Sequence, residues 1–89
     1  MKMDIYWVYV LQNPTGKFYI GLTDDIERRV IDHNTGVSKW TKKHRPWTLA
    51  WQQGPMTLSE ARRLEAWLKR QKGGVGFRAF TGLARPSGS

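Results

Sequence analysis

The chain has 89 residues, with Lys+Arg 15 against Asp+Glu 7, a net charge of +8 and a pI near 10.3, which suits one domain rather than two and favours a polyanionic partner, nucleic acid ahead of an anionic membrane. With no cysteine, disulfide scaffolds, thiolate zinc fingers and cysteine nucleophiles are excluded. No apolar run approaches the ~20 residues that cross a bilayer.

In chain order, residues 6–12 (Tyr-Trp-Val-Tyr-Val-Leu-Gln) are dominated by aromatic and β-branched side chains and predict a strand. Met1-Lys2-Met3-Asp4 leads straight into it, so no secretory signal is expected. Nothing depends on an oxidising compartment, and the cytoplasm is the expected location. Asn13-Pro14-Thr15-Gly16 has the residue order of a type I turn, and residues 17–22 complete a hairpin. With Gly16 as a bulge residue, Asn13 pairs with Lys17, Leu11 with Tyr19 and Tyr9 with Gly21. Tyr9 and Tyr19 then share one face as diagonal neighbours, roughly 7 Å apart or less. Gly21 opposite Tyr9 leaves a gap over the backbone where a ligand can approach.

Asp24 is the expected cap of a helix with Glu27 at its third position, ending at Asn34 and Gly36. Arg29 and His33, four residues apart, project together. Residues 37–46 read as a basic loop, and Trp47–Trp51 as a third strand ended by Gly54-Pro55. Thr57 and Glu60 form a capping box for a second helix that runs to about Lys72, where Gly73-Gly74 stops it. A short helical turn around Phe77 and Phe80 follows, and residues 84–89 read as a flexible tail. The expected fold is α/β in the broad sense (α+β): a small three-stranded, mainly antiparallel sheet flanked by helices, in the order β-β-α-β-α with a C-terminal helical turn. It forms one domain over residues 1–83, without internal repeat or linker.

Tyr9, Tyr19 and Arg29 follow one another at intervals of ten residues. Two phenols and a guanidinium on a sheet edge suit a phosphodiester substrate. In the second helix Leu58, Ala61, Leu64 and Leu68 form an apolar stripe, and Glu65 falls inside it. An ionised carboxylate there needs a cation. Either a salt bridge to a nearby Lys or Arg or a hard divalent ion, which takes one or two carboxylates plus waters and phosphate, satisfies that need. The phenols also fit plain sheet packing, Arg29 an exposed helix charge, and His33 the favourable end of a helix dipole.

Taken as an ordered set, Val8-Tyr9-Val10, Tyr19-Ile20-Gly21, Arg29, His33 and Glu65 resemble the GIY-YIG nuclease family, over residues 6 to about 72. Tyr19-Ile20-Gly21-Leu22-Thr23-Asp24, Arg28-Arg29, Asp32-His33-Asn34-Thr35-Gly36 and Arg45-Pro46-Trp47 look closest to its small single-domain bacterial members and to the catalytic domain of endonucleases that cut branched DNA. Val8 and Val10 depart from the glycine and isoleucine of the first motif, and Leu22 stands where some branches carry a lysine. The resemblance implies hydrolysis of DNA with one divalent metal, Mg²⁺ or Mn²⁺. Tyr9, Tyr19, Arg29, His33 and Glu65 are its implied catalytic residues. Glu65 would anchor the ion, and Arg29 would neutralise charge on the phosphate. Tyr9 would position or deprotonate the attacking water, with Tyr19 and His33 in support.

Lys39, Trp40, Lys42, Lys43 and Arg45 on the basic loop, with Arg62 and Lys69 on the second helix, are the expected nucleic-acid surface. Trp40 suits either stacking on an unpaired base or anchoring the loop. DNA is the expected partner, with RNA left open, no membrane contact, and a protein partner as one source of specificity. The alternative to an endonuclease is a nucleic-acid-binding adaptor without robust catalysis.

Overall fold

The computed structural model describes residues 5–72 and 74–83. Strands β1 (Tyr6–Gln12) and β2 (Phe18–Thr23) form the predicted hairpin, and β3 (Thr48–Met56) pairs with the other side of β1. All pairings are antiparallel in the order β2-β1-β3, so β1 is central. The hairpin register is the expected one, with Leu11 opposite Tyr19 and Tyr9 opposite Gly21. Asn13 sets the turn: its backbone N–H donates to the Lys17 carbonyl at 3.1 Å, and its side-chain oxygen accepts the Lys17 N–H at 2.8 Å.

Helices α1 (Ile26–Thr35), α2 (Lys39–Lys43), α3 (Leu58–Gln71) and α4 (Val75–Thr81) complete the α+β fold. Three local expectations are corrected. Asp25, not Asp24, caps α1, because its side chain accepts the Arg28 N–H at 3.1 Å. The basic loop contains α2, a helix of 5 residues too short to show any periodicity. Gly54-Pro55 does not end β3. A register shift against β1 between Tyr6 and Val8 absorbs the pair, and the strand continues to Met56. The expected C-terminal helical turn forms, as a helix of 7 residues with Phe77 buried. The Thr57–Glu60 capping box forms as expected. The flexible-tail expectation for residues 84–89 lies outside the described residues.

Strand alternation divides the core. Val8, Val10, Phe18 and Ile20 pack on Ala61 and Leu68 of α3 and Phe77 of α4. Tyr9, Leu11 and Trp47 form the second cluster, against which Tyr19 and the α1 residues Ile26 and Val30 pack. The helix stripe is confirmed at Ala61, Leu64 and Leu68, with Trp67 joining them. The two phenols therefore face α1, whereas α3 covers the opposite face.

Candidate active site

Tyr9 sits on the central strand and is 1% exposed. Its ring crosses over Gly21: a Cβ on that glycine would lie 2.6 Å from the Tyr9 hydroxyl. The gap expected there for a ligand is thus filled by the phenol itself, and Gly21 is needed because any side chain would expel the ring. Tyr19 lies beside it, with ring centroids 6.3 Å apart.

The Tyr9 hydroxyl meets His33 Nε2 at 3.1 Å, and His33 Nδ1 meets Thr41 Oγ1 at 3.1 Å. His33 and Thr41 are both buried. The Thr41 hydroxyl donates to the Ser38 carbonyl at 3.3 Å. It has one proton, so toward His33 it accepts, and Nδ1 carries the imidazole hydrogen. Nε2 is then the acceptor for the Tyr9 O–H. Burial holds the His33 pKa below the ordinary 6.5, and the Arg29 charge adds to the effect against an opposing pull from Asp32. The imidazole is therefore neutral near pH 7 and able to take a proton.

Burial also raises the Tyr9 pKa above 10, and the Arg29 guanidinium opposes this through a polar contact and through its charge. Arg29 is half-buried on α1, where Asp32 Oδ2 pairs with it at 3.4 Å. Glu65, on the far helix α3, still acts on Tyr9: its charge is among the effects that raise the phenol. Its carboxylate is partly buried and pairs with Lys69 Nζ at 3.4 Å, the salt-bridge alternative weighed from sequence. Glu65 is thus within electrostatic reach of the phenol from the α3 side, not from the face that carries Arg29 and His33. Among the described residues no group of three or more His, Cys, Asp and Glu gathers to hold an ion. One carboxylate beside open solvent does not fit a closed zinc site. It does fit a hard cation such as Mg²⁺ or Mn²⁺, whose remaining positions go to water and substrate phosphate.

The surface residues split into two sets. Lys39, Trp40, Lys42 and Lys43 lie on α2 and Arg45 just beyond it, all exposed. Arg62 and Lys69 are exposed on α3. Arg45 is not a free cation, since its guanidinium donates to the Asn34 carbonyl at 3.3 Å. Of Trp40 and Trp47, it is Trp47 that anchors the segment. It is 2% exposed, its Nε1–H donates to the Thr41 carbonyl at 2.8 Å, and its backbone is clasped by both ends of the Asn34 amide.

Sequence reasoning missed Thr41 and the clasping role of Asn34. Only their small polar character among basic and aromatic neighbours marked them, and that is not specific.

The GIY-YIG catalytic domain model matches residues 5–77. A UPF0213 protein of Staphylococcus saprophyticus is 40% identical over 74 residues, covering 79% of this chain and 90% of that protein. A UPF0213 protein of Streptococcus pneumoniae serotype 4 is 42% identical over 67 residues, covering 74% of this chain and 68% of its own. One from Staphylococcus epidermidis is 40% identical over 68 residues, covering 75% and 83% respectively. No solved structure is a significant match.

Proposed function

The chain belongs to the GIY-YIG catalytic domain family, a family of nucleases, and from that premise we propose that it is a metal-dependent endonuclease hydrolysing DNA phosphodiester bonds. It reads DNA structure rather than base sequence and serves repair or recombination. The observation that carries this reading is the buried chain Tyr9–His33–Thr41, with Arg29 and Glu65 both acting on the same phenol.

A phenol raised above its ordinary pKa is a poor standing base. The hydrogen bonds supply another route. Tyr9 takes a proton from the attacking water as it passes its own to His33 Nε2, so a free phenolate never accumulates. Thr41 keeps Nε2 unprotonated beforehand. Arg29, oriented by Asp32, neutralises charge that develops on the non-bridging phosphate oxygens. Tyr19 orients the phosphate beside Tyr9. Glu65 would hold the divalent ion, and Lys69, which pairs with it at 3.4 Å, would yield or share the carboxylate. When bound, the ion supplies Lewis-acid stabilisation and a template for the phosphate. The α2 and α3 cations hold the backbone of the strand without reading its bases.

The deciding assay incubates the purified protein and Mg²⁺ or Mn²⁺ with duplex, single-stranded, flap and four-way DNA. Cleavage is expected, and Glu65→Ala should lose it while binding persists. Equal nicking by that variant would mark a contaminant. Tight, salt-sensitive binding without cleavage of any substrate would replace the nuclease with the adaptor reading.

A further inference from the structure

A cavity of about 420 Å³ opens beside the catalytic cluster, lined by Tyr19, Ile20, Trp40, Lys69 and Lys72. This is within the ~300–1,000 Å³ of small-ligand pockets. Trp40 is 44% exposed although Trp47 already anchors this segment. Its ring is braced by two others, with centroids 4.7 Å from His44 and 5.6 Å from Trp47. A braced aromatic face loses little freedom on binding and makes a good stacking platform. Lys72 Nζ lies over the ring, 5.7 Å from its centroid, so an aromatic face and a cation lie together at the cavity. Tyr19 belongs to both sites: its ring is 6.3 Å from Trp40, 4.4 Å from His33 and 6.3 Å from Tyr9.

We propose that this cavity is a subsite for one unpaired nucleobase, stacked on Trp40, on the same strand as the phosphate addressed by Tyr9 and Arg29. The apolar lining and aromatic floor accept any base. Lys69 and Lys72 line the cavity and carry charge of the sign that complements a strand's phosphates. A base within duplex DNA must first be unstacked and unpaired, a cost that a single-stranded arm does not incur. The pocket therefore supplies selectivity for cleavage next to a branch or gap. The placement beside a reacting phosphate rests on the nuclease reading; the stacking itself does not.

Two measurements separate those dependencies. In the first, the Glu65→Gln protein is mixed with flap DNA carrying 5-iodouracil at successive positions of the single-stranded arm, irradiated at long wavelength and analysed by peptide mass spectrometry. Cross-links should concentrate on Trp40 from one position in the arm. Cross-links confined to other residues would overturn the subsite, and the outcome does not require the protein to be a nuclease. In the second, flap-to-duplex cleavage ratios are compared for wild type, Trp40→Phe and Trp40→Leu. Phe should retain most of the preference, and Leu should lose roughly 10- to 100-fold. Equal ratios for Phe and Leu would overturn the subsite with the nuclease reading intact. Failure of wild type to cleave any substrate, with Trp40 still cross-linked, would overturn the nuclease reading alone.

Discussion

On the face covered by α3 and α4, β1 presents Val8 and Val10; on the face covered by α1 and α2, the same strand presents Tyr9 and Leu11. The first face is satisfied by volume alone, since aliphatic and aromatic side chains need only close packing. The second buries a hydroxyl, an imidazole and a threonine, and each such group costs about 1–3 kcal/mol if left without a partner. Among the described residues every buried side-chain nitrogen and oxygen has one. One strand thus carries a face built for stability and a face where burial is accepted in return for positioned protons.

The sharpest way to break that contrast is Tyr9→Phe. It keeps the ring and removes only the atom that meets His33. Cleavage should fall by roughly 10²–10⁴-fold, while thermal unfolding reports a loss of no more than about 1–3 kcal/mol from the stranded imidazole nitrogen. Wild-type cleavage by this variant would make the α1 face merely another core. Leu68→Ala probes the opposite face, where the side chain is 0% exposed. Denaturant titration should show a loss of ~2–5 kcal/mol, and cleavage per folded molecule should stay at the wild-type value.

Thr41→Val is nearly isosteric but removes the acceptor for His33 Nδ1. A loss of about 1–3 kcal/mol is expected by denaturant titration, and cleavage should fall with it because the imidazole tautomer is no longer held. Thr41→Ser should restore both. A valine variant as active as wild type would reduce Thr41 to packing. The smallest effect is the pH dependence of stability. His33 has a folded pKa below its ordinary 6.5, so the unfolded chain takes up the proton first as pH falls. Its contribution is complete above about pH 6.5 and is lost on acidification toward the folded pKa. Denaturant midpoints across pH 5–8 should follow that course, and His33→Phe should flatten it.

Part of this arrangement is legible from residue order. The Asn13–Gly16 turn dictates the hairpin register, and the register places both phenols on one face. Capping chemistry places α3, because Thr57 and Glu60 satisfy each other locally. The cap of α1 lies one residue beyond the expected one because two aspartates stand side by side, and only the hydrogen bond from Arg28 N–H to the Asp25 side chain distinguishes them. α2 was invisible because five residues make little more than one turn. Glu65 was legible as a misfit in an apolar stripe, but which cation meets it, Lys69, was not. The roles of Thr41 and Asn34 depend on contacts 8 and 13 residues distant, which leave no periodic trace. The expected ligand gap at Gly21 failed for a similar reason: pairing rules position the backbone of Tyr9 but do not say where its ring leans.

Trp40 and Thr41 are consecutive residues of a helix of 5, one exposed and the other fully buried. The tip that meets solvent and the strut behind the imidazole are therefore a single rigid piece. Engineers could not exchange the outer residues as an independent cassette to retarget the protein, because any graft that shifts this turn also detunes the proton acceptor. On the nuclease reading, changes in substrate preference here register as changes in turnover.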